Sequence, residues 1–308
     1  MSKAPFPIQP ELTAIAVMYS NKKMIADQVA PRVPVGKEVF KYLKHDMAEG
    51  FTVPDTKVGR KSAPNRVEFN ASEVTDSTED FGLDDPIPQS DILNAPPNYD
   101  PLGKSVLFTS NLIELDREVR VANKVFNADN YGSNNKMTLS GSDQISDPTS
   151  DPIGMFTDVL DGMVMRGNIM VVGRPAYSQL VRHPDIVSGF NRNAGTKGKA
   201  SKEYLMELFE LDDILVGEAF VNTARKGQAA NLARAWGKHI SFVYRDMTAD
   251  VQRGLTYMLT PQFGTRVAGS IPDTNIGLRG GQVVRVGESV KEIICANDLA
   301  YFVQNAVA

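Results

Sequence analysis

The chain has 308 residues, of which 42% are hydrophobic and 23% are charged, and its net charge is −4. This composition is typical of a globular protein with one large domain or two ordinary ones, and the small charge gives no reason to expect a nucleic-acid-binding surface. Cys295 is the only cysteine, which excludes an intrachain disulfide and a thiolate metal cluster and favours a reducing compartment. We expect no signal peptide and no membrane span, because no apolar run is long enough.

The N-terminal part of the chain predicts an extended lead-in followed by a helix. Three prolines fall within residues 1–10, and proline favours extended backbone. Over residues 11–29, apolar residues such as Ile15 and Tyr19 recur at near-helical spacing until Pro31 ends the pattern.

Residues 37–91 form two consecutive limbs of opposite charge. The first limb, residues 37–66, is mainly basic, whereas the second, residues 67–91, contains no Lys or Arg. Apolar residues are so thinly spread here that a compact domain would rarely tolerate the segment. The segment is therefore either disordered or an extended arm whose partners lie on another subunit.

Within the arm, the sequence predicts a long two-stranded hairpin. Val39–Leu43 is the outgoing strand, Val67–Asn70 alternates with period two as a returning partner, and Lys57–Asn65 is the tip. Such a hairpin is only marginally stable in water unless it packs on something else.

The longest helical pattern covers residues 101–126. One apolar stripe with steps of three and four consists of Leu112, Leu115, Val119, Ala122 and Phe126. A second face contains Leu102, Val106 and Ile113. A helix of about 25 residues would be close to 40 Å long, which suits a structural spine.

From residue 130 onward, short helices and strands alternate without an internal repeat, which indicates an α+β fold. Helices are predicted at 152–165, at 176–182 with Pro184 as its end, and from Ser201 to 209. Strands are predicted at 168–173, 211–219, 235–245 and 255–259, with 282–286 and 292–296 as a closing pair and 297–307 returning to the sheet. We expect Trp236 to lie in the core and to donate its ring N–H to a backbone acceptor.

No motif predicts catalysis, a cofactor or a metal. Gly195–Lys199 resembles a phosphate-binding loop, but Asn193 replaces a required glycine and Ala200 replaces the magnesium-binding Ser or Thr. No glycine-rich dinucleotide fingerprint follows a strand.

The histidines and paired acids also favour structural roles. His45, His183 and His239 are far apart, without metal-ligand spacing or a nucleophile motif. The pairs Asp84–Asp85 and Asp212–Asp213 could bind a metal, but adjacent acids of this kind are usually solvated turn residues or helix caps.

Three segments, in this order and spacing, resemble the major capsid proteins of tailed bacteriophages. They are NIMVVGRPAYSQLVRHPDI at 168–186, LMELFELDDILVGEAFVNTA at 205–224, and AWGKHISFVY at 235–244. That family has the Hong Kong 97-type fold. The resemblance implies an N-terminal arm at 1–36, an extended hairpin E-loop at 37–95, a peripheral domain with a spine helix at 96–149, an axial domain at 150–254, and closing strands at 255–308 that return to the peripheral domain.

The resemblance further implies a structural subunit and no enzyme. Its copies would form hexamers and pentamers of an icosahedral virion capsid that encloses double-stranded DNA, assembled in the host bacterial cytoplasm. Other expected partners are a separate scaffolding protein, a portal, a decoration or cement protein, and packaged DNA bound without sequence specificity. Two alternatives stay open, namely an encapsulin-like compartment that encloses an enzyme and a small oligomeric α+β enzyme.

We expect the charged arm to supply the contacts between subunits. Its basic limb would meet acidic surface on a neighbour, and its acidic limb would meet basic surface on the spine helix, such as Lys124. The predicted contact residues are Lys57, Arg60, Lys61, Arg66, Glu73, Asp76, Glu79, Asp80, Asp84, Asp85, Arg117 and Arg120.

Overall fold

The computed structural model describes residues 24–45, 51–66, 71–190, 197–225 and 227–308. The α-helices of this part are α1 (Ala26–Val29), α2 (Gln89–Leu93), α3 (Pro101–Val125), α4 (Pro152–Gly162), α5 (Arg174–Leu180), α6 (Pro184–Phe190) and α7 (Lys202–Phe209). The strands are β1 (Arg32–Val35), β2 (Val39–His45), β3 (Ala71–Ser77), β4 (Glu79–Pro88), β5 (Lys136–Thr138), β6 (Ile169–Gly173), β7 (Asp213–Gly217), β8 (Phe220–Asn222), β9 (Leu232–Arg234), β10 (Ile240–Val243), β11 (Met258–Asp273), β12 (Gly281–Val290), β13 (Ile293–Ile294) and β14 (Ala300–Gln304). The mixture of helices and sheets confirms the predicted α+β class.

The first sheet joins the N-terminal part of the chain to its C-terminal third. Its strand order is β1-β11-β12-β4, and β13 also pairs with β11. β1 runs parallel to β11 with Arg32 opposite Thr260, whereas β11, β12 and β4 are antiparallel neighbours. Pro34 lies in β1, an edge strand, where a missing backbone N–H is tolerated.

Helix α3 packs across β4 and β12 of this sheet. Asp100 caps its first turn, because the carboxylate accepts a hydrogen bond from the N–H of Leu102 at 3.0 Å, and Pro101 occupies the first helical position. The buried apolar residues of this contact are Ile87, Val106, Ile113, Ala268, Val284 and Val286.

The two predicted apolar faces of α3 differ in how far they are buried. In the first stripe, Ala122 is buried and Phe126 packs against the core, whereas Leu112 is 54% exposed. The second face, which includes Val106, is buried together with Arg117 and Glu118. Helical periodicity assigns charged residues to solvent, so it does not predict these two buried charges.

The second sheet has the strand order β5-β14-β10-β6-β7 and forms the main core. All residues of β6 and β10 are buried. Alternate residues of a strand point to opposite faces, and accordingly Met170 packs with Phe156 of α4 and Phe209 of α7, whereas Val171 packs with Trp236 and the C-terminal part of α3. The sheet is therefore covered on both faces.

Several strands differ from their predictions in length or pairing. The strand predicted at 255–259 is longer than expected and continues to Asp273. Gly264, at φ +68°, lies in a bulge between Phe263 and Val267, and the strand continues beyond that bulge. β12 pairs with β11 and β4, so 282–286 and 292–296 do not form the predicted pair. Of the predicted strand 235–245, only Ile240–Val243 is a strand.

The C-terminal strand β14 returns to a sheet as predicted. It pairs with β10 and β5 in the second sheet, whereas β11 and β12 lie in the first, so the strands of 255–308 are divided between the two sheets. Pro184 begins α6 at the point where the sequence predicts only a helix end. α4 confirms the helix predicted from residue 152, although it ends at Gly162, and Ser201 caps α7 as predicted.

Gly217 at the end of β7 offers a test of this core. A Cβ at Gly217 would overlap the ring of Trp236, so we expect Gly217→Ala to lower the free energy of unfolding by about 1–3 kcal/mol. Gly162→Ala at the end of α4, where a Cβ meets nothing within 4 Å, is the control and should change it by less than about 0.5 kcal/mol. Urea unfolding of the purified subunit measures both, and equal effects would contradict this packing.

Candidate functional site

The hairpin of β2 and β3 forms a two-stranded sheet of its own. Its antiparallel register places Val39 opposite Ser77, and Lys41 forms an ion pair with Glu73 at 2.8 Å. The outgoing strand is confirmed. The observed returning strand is Ala71–Ser77, and the predicted one at 67–70 lies outside the described residues.

The root of the hairpin is fixed to the first sheet. Phe40 is 6% exposed and packs with Val33, Leu259 and Ile293. The backbone N–H of residue 78 donates to the carbonyl oxygen of Glu38 at 2.9 Å. The hairpin therefore leaves the subunit in a defined direction.

The described part of the hairpin's far end, residues 51–66, is exposed throughout. Phe51 is 61% exposed and Val53 is 92% exposed, although both are apolar. Asp55 orders this segment, because its carboxylate accepts from the N–H of Lys57 at 3.0 Å and its carbonyl accepts from Asn65 Nδ2 at 2.8 Å. Four of the predicted contact residues lie on this exposed tip: Lys57, Arg60, Lys61 and Arg66.

The acidic limb leaves the hairpin after residue 78, so the extended loop predicted at 37–95 ends there. β4 lies along β12, where Asp84 forms two hydrogen bonds with Arg285, at 2.7 and 2.6 Å, and Glu79 forms an ion pair with Lys291. Asp85 accepts from the Ser105 hydroxyl at 2.6 Å. Asp84 and Asp85 are thus strand residues with partners in their own chain, and the prediction of turn residues or helix caps is wrong for them.

The other acidic contact residues remain nearer to solvent. Glu73 is exposed beside its partner Lys41, and Asp80 is exposed on β4. Asp76 is half-buried, and its carboxylate accepts from the N–H of Ser77 at 2.8 Å.

Arg117 and Arg120 of α3 are held by their own subunit. The guanidinium of Arg117 is 2% exposed, contacts Asp27, and donates to the carbonyl of Ala30 at 3.0 Å. Arg120 pairs with Glu292 at 2.9 Å. Arg117 therefore does not present the basic surface that the sequence predicts for a neighbour's arm.

A second buried charge, Glu288 of β12, is linked by ion pairs to β1, β11 and α3. Its side chain is fully buried between Arg32 of β1, at 2.8 Å, and Arg266 of β11, at 3.0 Å, and Arg266 also pairs with Glu114 of α3 at 2.9 Å. Burial raises the pKa of Glu288, but the charges and hydrogen bonds of Arg32 and Arg266 outweigh burial and leave that pKa below its ordinary value.

Glu118 is the acceptor for three buried donors. Its carboxylate accepts from the backbone N–H groups of Ile25 at 2.9 Å and Ala26 at 2.8 Å, and from the ring N–H of Trp236 at 2.5 Å. Burial raises the pKa of Glu118, and these donors together with Arg117 oppose that rise. Trp236 is in the core as predicted, but its acceptor is this carboxylate and not a backbone carbonyl.

We call this set of groups the charged junction. It consists of Asp27, Arg32, Glu114, Arg117, Glu118, Arg120, Arg266, Glu288 and Glu292. Buried charges are tolerated only when they are paired and hydrogen-bonded. The junction meets that condition except at Nε of Arg117, which has no hydrogen bond and lies 3.8 Å from the carboxylate of Glu292. It attaches α1, β1 and α3 to the C-terminal strands, next to the root of the hairpin.

His183 has a contact that resembles part of a hydrolase triad. Its Nε2 lies 3.2 Å from the hydroxyl of Ser150 and 3.2 Å from the carbonyl oxygen of Asp147, and its Nδ1 lies 3.8 Å from the carboxylate of Asp185. A carbonyl oxygen can only accept, and Nδ1 accepts from the N–H of Asp185 at 3.4 Å, so both contacts favour the tautomer with the proton on Nε2. The geometry is therefore that of a structural histidine.

The remaining candidate groups also have structural partners. Nδ1 of His239 accepts from the N–H of Asn305 at 2.9 Å, and Asp213 pairs with Lys202 at 2.6 Å. Burial raises the pKa of Cys295 to about 12, which keeps the thiol protonated at neutral pH. Within the described ranges, no group of three or more His, Cys, Asp or Glu side chains is arranged to hold a metal ion, and no helix has the length and apolarity to cross a membrane.

Two solved structures match the overall fold of this chain. A phage-related protein from Bordetella bronchiseptica RB50 matches with a TM-score of 0.75 at 20% identity over 97% of each chain. The capsid of cyanophage P-SCSP1u matches with a TM-score of 0.61 at 10% identity, covering 94% of this chain and 90% of that chain. The chain has the Hong Kong 97-type fold of phage capsid proteins, as the resemblance predicts.

Sequence relatives define the family more narrowly. The chain is 59% identical over 308 residues to the major capsid protein of Pseudomonas phage JBD67, covering all of both chains. It is 27% identical over 309 residues to the major capsid protein of Burkholderia phage BcepMu, covering 96% of this chain and 95% of the relative. No protein-family model matches. The chain belongs to the family of phage major capsid proteins, the self-assembling structural subunits of the virion capsid.

Removing the central acceptor of the charged junction tests its importance. We expect Glu118→Ala to lower the free energy of unfolding by about 3–5 kcal/mol, because three buried donors lose their acceptor. The control is Asp116→Ala, which removes a carboxylate 59% exposed on the same helix and should cost less than about 1 kcal/mol. Chemical denaturation of both variants measures the difference, and similar costs would refute a special role for Glu118.

The pH dependence of stability tests the pairing of Glu288. Its folded-state pKa lies below the ordinary value of 4.5, so its contribution is fully present above about pH 4.5 and is lost as the pH falls through the folded-state pKa. The difference in unfolding free energy between the wild-type protein and Glu288→Gln should therefore shrink as the pH falls from 7 to 3. Urea titrations across that range measure it, and a constant or growing difference would contradict the pairing.

Proposed function

We propose that copies of this chain form the hexamers and pentamers of an icosahedral shell around double-stranded DNA, assembled in the host bacterial cytoplasm. In this proposal the subunit performs no catalysis. Its role is to cover area and to join its neighbours. Membership in the phage major capsid family and the Hong Kong 97-type fold support the proposal.

The observation that carries the proposal is a hairpin with a fixed root and an exposed end. A two-stranded hairpin is only marginally stable alone, and its far end leaves Phe51 and Val53 in solvent. Exposed apolar residues that cluster on one surface mark a contact with another molecule. In a shell, every hairpin end has a neighbouring copy of the chain beside it, so we propose that a second copy is the partner. Interfaces between obligate partners often exceed roughly 2,000 Å².

We propose that the charge at the hairpin tip sets the position at which neighbouring subunits dock. Lys57, Arg60, Lys61 and Arg66 form an exposed basic group, which we propose meets acidic surface on a neighbouring subunit. Each exposed ion pair contributes only about 0–1 kcal/mol. Repeated around a closed shell, however, such pairs favour one docking position and oppose others. In the acidic limb we assign a contact role first to Asp80, because Asp84 and Glu79 already have partners in their own chain.

Family membership suggests further partners. These are a scaffolding protein, a portal, a decoration or cement protein, and packaged DNA held without sequence specificity. A net charge of −4 is compatible with that packaging, because DNA brings its own counterions.

Neither alternative function has comparable support. An encapsulin-like compartment would share the fold, but the relative with 59% identity is a phage major capsid protein. A small oligomeric enzyme needs a pocket with convergent polar groups, whereas the backbone contacts of His183 favour a structural role for its contact with Ser150. Double-stranded DNA inside purified particles would distinguish a virion shell from a compartment.

Reversing the charge of the tip tests the proposed contact. We expect the quadruple variant Lys57→Glu, Arg60→Glu, Lys61→Glu and Arg66→Glu to give a folded subunit that does not form closed shells, because these side chains are exposed and contribute little to the fold. Negative-stain electron micrographs and unfolding curves measure the two properties.

The matched control keeps every charge and changes only the residue type: Lys57→Arg, Arg60→Lys, Lys61→Arg and Arg66→Lys. It should form normal shells. Closed shells from the charge-reversed variant would disprove the role of the basic tip.

A further inference from the structure

The first sheet ends in an open edge at β4. In the part of the chain that the structure describes, β4 pairs with β12 on one side and has no strand on the other. An open edge strand is a template on which another chain can dock, and proteins protect such an edge with prolines and charges. Pro86 and Pro88 lie in β4 together with four acidic residues. The edge thus stays accessible, but only to a partner that suits its charge.

This edge has a surplus of negative charge. Its exposed carboxylates, which we call the acidic edge, are those of Glu79, Asp80, Asp84 and Asp85 in β4 and of Asp91 in α2, which follows β4 directly. Two of the five have basic partners in the described part of the subunit, namely Arg285 and Lys291. Two others accept from serine hydroxyls, at 2.6 and 3.3 Å, which leaves their charge in place.

The hairpin tip, residues 51–66, has the opposite surplus. Its exposed cations are Lys57, Arg60, Lys61 and Arg66. The N–H of Ser62 donates to the carbonyl oxygen of Gly59 at 3.0 Å and closes a turn that contains Arg60 and Lys61. Four cations against Asp55 leave three positive charges on the tip, and five carboxylates against two basic partners leave three negative charges on the acidic edge.

The hairpin carries its tip away from the acidic edge of its own subunit. Thr78 is the only residue between β3 and β4, whereas the tightest common hairpin loop has two residues. β4 therefore runs on from β3 and does not fold back toward the tip. The seven-residue strands of the hairpin put the tip roughly 23 Å beyond its root, at about 3.3 Å per residue. An acidic edge within reach of the tip consequently belongs to another copy of the chain.

The sheet beside the acidic edge also offers apolar surface. Residues directly opposite each other on paired strands share a face, so Pro86, Val283 and Ile271 form one row across β4, β12 and β11. The row lies on the face away from α3, because the alternate residues of these strands pack on that helix. All three side chains are half-buried or exposed. The row gives Phe51 and Val53 of the tip a surface to cover.

We propose that the acidic edge receives the hairpin tip of a neighbouring copy of the chain. This inference rests on the proposed function, because it names the acceptor surface for the same tip. Opposite charge steers the tip to the edge and opposes docking between two tips or two edges. Donor and acceptor are different surfaces, so each subunit gives one tip and receives another. Contacts of this heterologous kind close into rings when the rotation between subunits permits.

Reversing the charge of the acidic edge tests the proposal. We expect Asp80→Lys with Asp91→Lys to lower the yield of closed shells about tenfold or more, because like charges then face each other. These two carboxylates take no part in the ion pairs of the acidic edge. The control makes the same change of charge at two exposed carboxylates elsewhere, Asp129→Lys with Asp143→Lys. It should keep the yield within about twofold of wild type, because single surface charges contribute little.

A combined variant separates this inference from the proposed function. It joins the edge variant to the tip reversal Lys57→Glu, Arg60→Glu, Lys61→Glu and Arg66→Glu, so that tip and edge again have opposite charges. Closed shells should return to within about threefold of the wild-type yield. Electron micrographs count the closed shells, and unfolding curves establish that each variant is folded.

Carbodiimide crosslinking of wild-type shells gives a second measurement that needs no variant. The reagent joins a lysine amine to a carboxylate only where the two groups are in contact. We expect Lys57 or Lys61 to be linked to the acidic edge. In shells assembled from isotope-labelled and unlabelled subunits, these links should join labelled to unlabelled peptides, which peptide mass spectrometry identifies.

The outcomes distinguish the two proposals. Normal shells from the tip reversal alone would remove the proposed role of the tip. If the tip reversal blocks assembly, normal shells from the edge variant or no recovery in the combined variant would overturn the acidic edge alone. Tip lysines linked only to carboxylates outside the acidic edge would do the same. An equal loss of shells in the Asp129→Lys, Asp143→Lys control would assign the effect to net charge and would also overturn it.

Discussion

Two adjacent buried charges on α3, Arg117 and Glu118, hold the two ends of the chain together. Glu118 accepts from the start of α1 and from Trp236, and Arg117 contacts Asp27 of α1 and donates to Thr260 of β11 at 2.9 Å. A single buried ion would cost several kcal/mol, so each of these charges requires its partners to be in place. The packing of α3 in the folded state therefore depends on contacts with both α1 and the C-terminal strands.

This condition explains how a thin hairpin can have a definite direction. β1 is paired to β11, and Glu288 binds Arg32 of β1 from the neighbouring strand β12. β2 starts only a few residues after β1, and Phe40 is buried at its root. The root of the hairpin is thus held by the core. The exposed part, residues 51–66, carries apolar and basic side chains that have no core of their own to join.

Sequence patterns predict the elements that depend on short-range contacts, and they miss the contacts between residues far apart in the chain. The hairpin's first strand, helix 101–126 and the cap at Ser201 follow from periodicity and short-range hydrogen bonding. The partners of Glu118 lie 93 and 118 residues away, and the partner of Asp84 lies 201 residues away. No local pattern contains that information, so Arg117 and Asp84 were both assigned to solvent. The order of three segments, in contrast, was sufficient to predict the family.

On α3, two charged residues are buried and two large apolar residues are exposed, the reverse of the usual pattern. The inner face of α3 includes two charges, Arg117 and Glu118, whereas Phe108 and Leu112 lie exposed on the outer face. A subunit that functions alone gains nothing from this arrangement, because apolar side chains stabilise only when they are removed from water. A subunit that assembles with other copies differs in this respect. Its buried charges are paired within its own chain, and its exposed apolar side chains gain free energy when another surface removes them from water.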